Sequence, residues 1–234
     1  YVDDLMKTAA THPTLLDVLE NITVKTATAR ENAVLVHDYV REQVKFGFNR
    51  YFDAAPPEFT LSYGIGHCNT KSRLMVVLLK RLGLEAYQHF VVIPKEILAG
   101  AMPPTQFRMI SAEISHSFVD VNIEGTWCQI DSFIIDTPYL QGAKARLAEE
   151  GKLTGYGVRL DSKNTWDGRG SAFVQLEPSK VIEDHGRIED LEAFYRSKKY
   201  RNTLMGIRFN TLFRLMGEAG VAPINAHIER IRLR

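Results

Sequence analysis

The 234-residue sequence has few cysteines, no long apolar run and almost no net charge. Its two cysteines cannot build the disulfide framework of small secreted domains, and they fit a reducing compartment, so we expect a cytoplasmic protein. The net charge of +1 creates no field that would attract nucleic acid or an anionic surface. No apolar run approaches the roughly 18 residues of a membrane-spanning helix. We therefore expect neither a nucleic-acid partner nor a membrane partner.

The common signatures of metal sites and phosphate sites are also missing. The sequence contains no Cys-x-x-Cys, no His-Glu-x-x-His and no Asp-x-Asp-x-Asp-Gly calcium loop. His67, Cys68, His116 and Asp131 are residue types that can bind zinc, but an adjacent histidine and cysteine rarely ligate one ion. Gly64-x-Gly66 is followed neither by a third glycine nor by Gly-Lys-Ser/Thr, which argues against a phosphate loop. We expect no metal and no cofactor.

Apolar periodicity divides the chain into helical and extended segments. The predicted helices lie at residues 14–19, 31–48, 69–82, 188–196, 203–216 and 223–233. The predicted strands lie at residues 86–93, 116–123, 126–130 and 172–176. Helices followed by strands and then by helices again indicate an α+β fold with an antiparallel sheet, rather than a βαβ alternation.

Cys68 lies between a glycine-rich stretch, Gly64-Ile65-Gly66-His67, and the most regular of the predicted helices. A thiol at a helix N-terminus faces unpaired backbone N–H groups and the positive end of the helix dipole, which favour the thiolate. The same N–H groups can stabilise an oxyanion that develops beside the sulfur. We therefore predict that Cys68 is a nucleophile rather than a small buried apolar residue.

A thiol nucleophile needs a base, and the predicted hairpin provides one. If Glu124–Gly125 is a two-residue turn, Phe118 lies opposite Asp131, and His116 shares a sheet face with Asp131 at a diagonal position. We predict that His116 is the base and that Asp131 orients it. The alternative for His116 is a hydrogen-bonded structural histidine, and the alternative for Asp131 is a turn residue at the end of a strand. Cys128 has the opposite parity to Asp131, so we predict that it is a core residue.

Three motifs together resemble the transglutaminase-like superfamily, and they occur in the family's order. They are Gly64-Ile65-Gly66-His67-Cys68-Asn69-Thr70-Lys71-Ser72, Ser115-His116-Ser117-Phe118-Val119-Asp120-Val121 and Gly125-Thr126-Trp127-Cys128-Gln129-Ile130-Asp131. The resemblance covers about residues 31–136. It implies a papain-like core without a metal and a catalytic triad of Cys68, His116 and Asp131. It also implies acyl transfer or hydrolysis at an amide or thioester carbonyl through a thioester acyl-enzyme.

The resemblance leaves the substrate open, because the superfamily includes cross-linking enzymes, cysteine peptidases, peptide glycanases, amide-forming biosynthetic enzymes and inactive members. The expected partner is a peptide, a protein or a carrier-bound acyl substrate. A non-catalytic interaction module on the same fold is the alternative. Tyr63 and Asn49 are candidates for an additional oxyanion donor upstream of the cysteine. Gly66, His67 and Trp127 are candidates for lining the cleft.

We predict three parts of the chain. They are an N-terminal extension at residues 1–30, a transglutaminase-like catalytic core at 31–176, and a C-terminal helical subdomain packed on the core at 177–234. Basic residues of the last part are interleaved with Glu218 and Glu229, so solvated helix faces explain them better than a nucleic-acid surface. The aromatic residues there are expected in a core, with a lid beside the cleft as the alternative: Phe194, Tyr195, Phe209 and Phe213.

Overall fold

The computed structural model describes residues 14–234, so the first part of the predicted N-terminal extension lies outside the described residues. The helices are α1 (Leu15–Ile22), α2 (Ala29–Gln43), α3 (Pro57–Tyr63), α4 (Cys68–Arg81), α5 (Pro104–Met109), α6 (Thr137–Glu149), α7 (Leu191–Arg196) and α8 (Phe209–Arg232). Short 3₁₀ helices lie at Phe52–Ala54, Lys95–Leu98 and Pro178–Lys180.

The longer strands are β3 (Ala86–Pro94), β4 (Glu113–Ile123), β5 (Thr126–Ile130) and β8 (Glu183–Arg187). They form one antiparallel sheet in the order β5-β4-β3-β8. Two-residue strands pair outside it: β1 (Lys45–Phe46) with β2 (Ile65–Gly66), β6 (Thr154–Gly155) with β7 (Val158–Arg159), and β9 (Thr203–Leu204) with β10 (Ile207–Arg208). The predicted α+β class is confirmed.

The turn between β4 and β5 fixes the register that the functional residues need. Glu124 and Gly125 both have positive φ angles, 53° and 86°, as the central residues of a type I′ turn do. Ile123 therefore pairs with Thr126, and Val119 pairs with Ile130, which is the predicted register. A shift of one residue would move His116 and Asp131 to opposite faces of the sheet.

Helix α4 packs on one face of this sheet and carries Cys68 as its first residue. Its apolar side is buried in the main core together with Cys128 of β5, as predicted for Cys128. Two polar contacts fix its first turn to the strands. Ser72 Oγ donates to the carbonyl of Ser117 at 3.2 Å, and Gln88 Nε2 donates to the carbonyl of Asn69 at 2.9 Å. These contacts set the position of Cys68 relative to β4.

A buried lysine ties the start of α4 to two other segments. The side chain of Lys71 is fully buried, and its Nζ donates to the carbonyls of Val44 at 2.5 Å and Ile134 at 2.9 Å. Val44 ends α2, and Ile134 lies beyond β5 in the chain. The lysine thus satisfies two buried carbonyl groups that have no place in a regular ladder.

Several predicted elements are wrong in their extent. The predicted helix 31–48 ends at Gln43, because Lys45 and Phe46 pair with the segment before Cys68. The predicted helix 203–216 begins instead at Phe209, and α8 consists of two helical parts, because the backbone at Gly217 is not helical (φ 63°, ψ −170°). The second part extends beyond the predicted helix 223–233 at its N-terminal end. Residues 203–208 form a small hairpin rather than helix.

The strand predicted at residues 172–176 is also wrong, since the segment makes a single bridge, from Ala172 to Ile130. Strand β8 was not predicted, although it extends the main sheet from the region expected to be helical. The domain boundaries themselves stay predictions. Within residues 14–234, no helix combines the length and the apolar character that crossing a bilayer requires.

Candidate active site

Cys68 and His116 line the same cavity. Cys68 is partly exposed there, at the N-terminus of α4, and the extended backbone of His67 caps the helix. The cap is closed by the N–H of His67, which donates to Thr70 Oγ1 at 3.1 Å. His116 reaches the cavity from β4, where it pairs with Val91 of β3. Helix and strand thus bring the predicted nucleophile and base to one place.

Asp131 holds the far side of the His116 ring. The Nε2–H of His116 donates to Asp131 Oδ2 at 3.2 Å, and both side chains are buried. A carboxylate acceptor at Nε2 fixes the tautomer in which Nε2 carries the hydrogen. Nδ1 is therefore the ring nitrogen that remains for the thiol.

The carboxylate of Asp131 is itself held by a bent segment that follows residue 172. The backbone N–H groups of Val174, Gln175 and Leu176 all donate to it, Leu176 at 2.7 Å to Oδ2 and Gln175 at 3.3 Å to Oδ1. The N–H of Asp131 donates in turn to the carbonyl of Ala172 at 3.0 Å. The chain bends at Val174 and Gln175, and the N–H groups of residues 174–176 are bonded to a side chain instead of a neighbouring strand. The apolar alternation of this segment gave no sign of that role.

The surroundings of Cys68 raise the pKa of its thiol. Burial of the sulfur is the largest cause, and the negative charges of Asp53 and Asp131 act in the same direction. Backbone N–H groups of Ser117 and Asn69 oppose the increase. The N–H groups at the helix N-terminus favour the thiolate, as expected, but burial and the two carboxylates act against it, and the pKa of the thiol is raised.

A second histidine–carboxylate pair lies on the other side of Cys68. The Nε2–H of His67 donates to Asp53 Oδ1 at 2.6 Å. Asp53 also accepts hydrogen bonds from the side chains of Asn69 (2.9 Å), Asn202 (3.2 Å) and Tyr200. His67 lines the cavity, where it was predicted, and its buried Nδ1 has no partner among the described residues. The ring therefore offers one unused acceptor beside the sulfur.

The two predicted oxyanion donors have different surroundings. Asn49 is fully buried, its Oδ1 accepts the N–H of Tyr51 at 2.9 Å, and its Nδ2 lacks a partner within residues 14–234. Tyr63 lies at the end of α3, outside the lining of the cavity, and donates to Glu218 at 2.6 Å. Burial and this hydrogen bond raise the pKa of Tyr63 to about 12. Neither side chain lines the cavity; among the described residues only the amide nitrogen of Asn49 lacks a partner, whereas the Tyr63 hydroxyl is engaged by Glu218.

Gly66 and Trp127, two of the predicted cleft residues, lie away from the lining of the cavity. A Cβ atom at Gly66 would lie 2.9 Å from side-chain atoms of Thr70 and Lys71, so this glycine permits close packing on α4. Trp127 is 39% exposed on β5, and the guanidinium of Arg187 lies 3.7 Å from the centre of its ring. Neither position gives these residues contact with Cys68.

Residues of the C-terminal region also line the cavity. Of the two explanations offered for its aromatic residues, only the one that placed them beside the cleft anticipated this. Phe209 and Phe213 of α8 line it, next to the cleft as the alternative placed them, and so does Asn202. Gln175, at the end of the predicted core, also lines the cavity. The other predicted aromatic residues, Phe194 and Tyr195, pack in a separate core. Within residues 14–234, no group of three or more His, Cys, Asp or Glu side chains is placed to hold a metal ion.

Comparison with known proteins agrees with the resemblance seen in the motifs. Residues 17–132 match the family model of the transglutaminase-like superfamily, and Cys68, His116 and Asp131 all fall within the matched range. Searches of curated proteins and of solved structures gave no match. Members of this superfamily usually carry out cysteine-dependent acyl transfer or peptide hydrolysis. Residues 17–132 of the chain are therefore a domain of the transglutaminase-like superfamily.

Proposed function

We propose that the protein catalyses acyl transfer or hydrolysis at an amide or thioester carbonyl, with Cys68 as nucleophile, His116 as base and Asp131 as the orienting carboxylate. One observation carries the proposal. The thiol of Cys68 and the imidazole of His116 line one cavity. Nε2 of His116 donates to the buried carboxylate of Asp131 at 3.2 Å, which leaves Nδ1 for the thiol. This is the arrangement that nucleophilic catalysis by a thiol requires.

The raised pKa of the Cys68 thiol decides how the first step proceeds. As the sulfur attacks the carbonyl carbon, its proton passes to Nδ1 of His116, and Asp131 stabilises the imidazolium that forms. The oxyanion lies at the N-terminus of α4, where the N–H of Cys68 can donate to it. The amide Nδ2 of Asn49 is the candidate for a second donor.

The tetrahedral intermediate collapses when the bond to the leaving group breaks and His116 returns the proton to that group. The acyl group is then held on Cys68 as a thioester. Water or an amine attacks this thioester, His116 takes the proton of the nucleophile, and the thiol is restored on release of an acid or an amide. Transfer and hydrolysis differ only in which nucleophile reaches the acyl-enzyme.

A non-catalytic interaction module is the second candidate function. Its weakness is the buried Asp131, because a binding surface gains nothing from a carboxylate that is held by three backbone N–H groups and directed at a histidine. Burying a charge in this way is expensive unless its hydrogen bonds serve a purpose.

Intact-protein mass spectrometry tests the proposal. The protein is incubated with an acyl thioester, a p-nitrophenyl ester and a glutaminyl peptide, and is then quenched in acid. We expect the mass to rise by one acyl group in the wild type and in Cys128→Ala, whose thiol lies in the core. Cys68→Ala should gain no acyl group. Absence of an adduct with all three donors in the wild type would favour the interaction module.

A further inference from the structure

The cavity beside Cys68 is walled almost entirely by apolar side chains. Its apolar lining comes from separate parts of the chain and includes Phe48, Phe52, Ile97, Met102, Phe209 and Phe213. The aromatic rings pack on one another, with 4.6 Å between the ring centres of Phe52 and Phe213 and 5.8 Å between those of Phe48 and Phe213. Because these residues are held by mutual packing, the cavity is formed before a ligand enters.

The polar side chains at its edge are already engaged with the protein. Ser115 Oγ accepts the N–H of Arg201 at 2.8 Å, and both ends of the Asn202 amide are bonded to the backbone of Ser115. Gln175 Nε2 donates to the carbonyl of Gly157 at 2.8 Å. A carboxamide or charged group of a substrate would therefore be desolvated without finding partners, which is unfavourable.

His67 differs from these polar side chains, because one of its ring nitrogens has no partner among the described residues. Its Nδ1 is buried without a partner, while its Nε2–H is committed to Asp53. A single N–H or O–H donor close to the reacting carbonyl could occupy that acceptor. The rest of the acyl group meets hydrocarbon.

From this lining we propose that the cavity is the acyl-binding pocket and that the acyl group of the donor is apolar, aliphatic or aromatic, with an acyl thioester as the donor used to test it. This inference rests on the proposed function of Cys68 and names the substrate class. In the acylation step the Cys68 sulfur bonds to the acyl carbon, the donor's carbon–sulfur bond breaks, and the departing thiol takes the proton from His116. A glutaminyl side chain should be a poorer donor, because its carboxamide is the reacting group at Cys68 and only its short methylene chain would meet the apolar lining.

The expected dependence on chain length follows from the burial of methylene groups. Each buried CH₂ contributes about 0.8 kcal/mol, which corresponds to about a fourfold change in rate or affinity. The second-order rate constant for acylation of Cys68 should therefore rise about fourfold per methylene from acetyl to butanoyl to hexanoyl thioesters of one thiol, until the cavity is filled. A glutaryl thioester, which ends in a carboxylate, should react more slowly than the hexanoyl thioester.

A matched pair of variants tests the wall itself. Leu98 lines the cavity and is partly exposed, so Leu98→Gln changes polarity with little change in volume or folding. In this variant, the rate constant for acylation of Cys68 should rise less with each added methylene group than in the wild type. Leu153→Gln is the control, because Leu153 is 76% exposed and lies outside this cavity. It should leave the chain-length dependence unchanged.

Binding to Cys68→Ala separates the failure of this inference from the failure of the proposed function. The ligands are the unreactive N-methyl amides of acetic, butanoic and hexanoic acid, and the affinity is measured by calorimetry. The same fourfold gain per methylene supports the pocket even if no thioester acylates the wild type, in which case only the catalytic proposal fails. Acylation of Cys68 without chain-length dependence, or equal binding of all three amides, overturns the acyl-binding pocket and leaves the catalytic proposal intact.

Discussion

The buried ammonium of Lys71 makes the stability of the protein depend on pH in a way that can be calculated. Its Nζ lies in the interior and donates to the carbonyls of Val44 and Ile134. Burial lowers the pKa of Lys71 from 10.5 to about 7, although Asp136 and Glu42 favour the charged form. In the unfolded chain the same lysine has an ordinary pKa near ~10.4. Folding therefore releases a proton from Lys71 at alkaline pH.

The sign and size of the effect follow from proton linkage. Between the folded and the unfolded pKa, the unfolded chain binds a proton that the folded chain does not, so the free energy of unfolding rises with pH. The slope approaches ~1.4 kcal/mol per pH unit, and the whole window is worth roughly 5 kcal/mol. Below the folded pKa both states carry the proton, and Lys71 contributes no slope.

Urea unfolding of the wild type and of Lys71→Met tests this reasoning. Methionine is similar in length and cannot titrate. Subtracting the two free energies of unfolding removes the contributions of Cys68 and the tyrosines, which are common to both. We expect the difference, wild type minus variant, to rise by roughly 2–3 kcal/mol from pH 7.5 to 9.5.

Lys80→Met is the matched control, because Lys80 is an exposed lysine on the same helix and should give no comparable rise. A difference between the wild type and Lys71→Met that stays constant over this pH range would refute the reasoning. It would mean that Lys71 remains charged in the folded protein, and that its three carbonyl neighbours, including Arg41 at 3.5 Å, compensate for its burial.

Other predictions concern the chemistry at Cys68. Asp131→Asn should lower the acylation rate by up to about 10⁴-fold, as loss of the orienting carboxylate does in serine proteases, and a rate near that of the wild type in stopped-flow assays would contradict the assigned role. Asn49→Ala should lower the rate about 10²-fold if its amide is an oxyanion donor, whereas Tyr63→Phe should leave it unchanged. Because the pKa of the thiol is raised, alkylation of free Cys68 by iodoacetamide should still accelerate above pH 9, and a plateau at acidic pH would instead indicate a preformed ion pair with His116.

The parts of the site that follow from local sequence were predictable. The hairpin register depends on two turn residues, Glu124 and Gly125, and once the turn type is known, the pairing of β4 with β5 is fixed. The start of α4 is signalled by the glycines before Cys68 and the regular apolar spacing after it. These local features were enough to predict the contact between His116 and Asp131, which are fifteen residues apart.

Features that depend on distant segments could not be predicted in this way. The three N–H groups that hold Asp131 come from residues more than forty positions later, and no period in the sequence marks them. Gly142 lies inside α6, in a segment where no helix was predicted. There a Cβ atom would come within 1.8 Å of the carbonyl oxygen of Ile231, so the glycine permits close packing of α6 on α8. Glycine is locally unfavourable inside a helix, but here the close contact between two helices requires it.

The pKa of the Cys68 thiol depends both on local sequence and on contacts with distant segments. The helix N-terminus alone favours a thiolate, whereas the burial of the sulfur and the carboxylates of Asp53 and Asp131 favour the thiol. A neutral thiol in an apolar cavity reacts slowly with oxidants, because oxidation follows thiolate character and exposure. In the proposed mechanism it attacks only when a carbonyl lies beside it, since the negative charge then develops on an oxygen that faces N–H donors rather than on the sulfur. If the cavity is the acyl-binding pocket, as proposed, the apolar wall and the raised pKa of Cys68 both make the reaction depend on an occupied pocket.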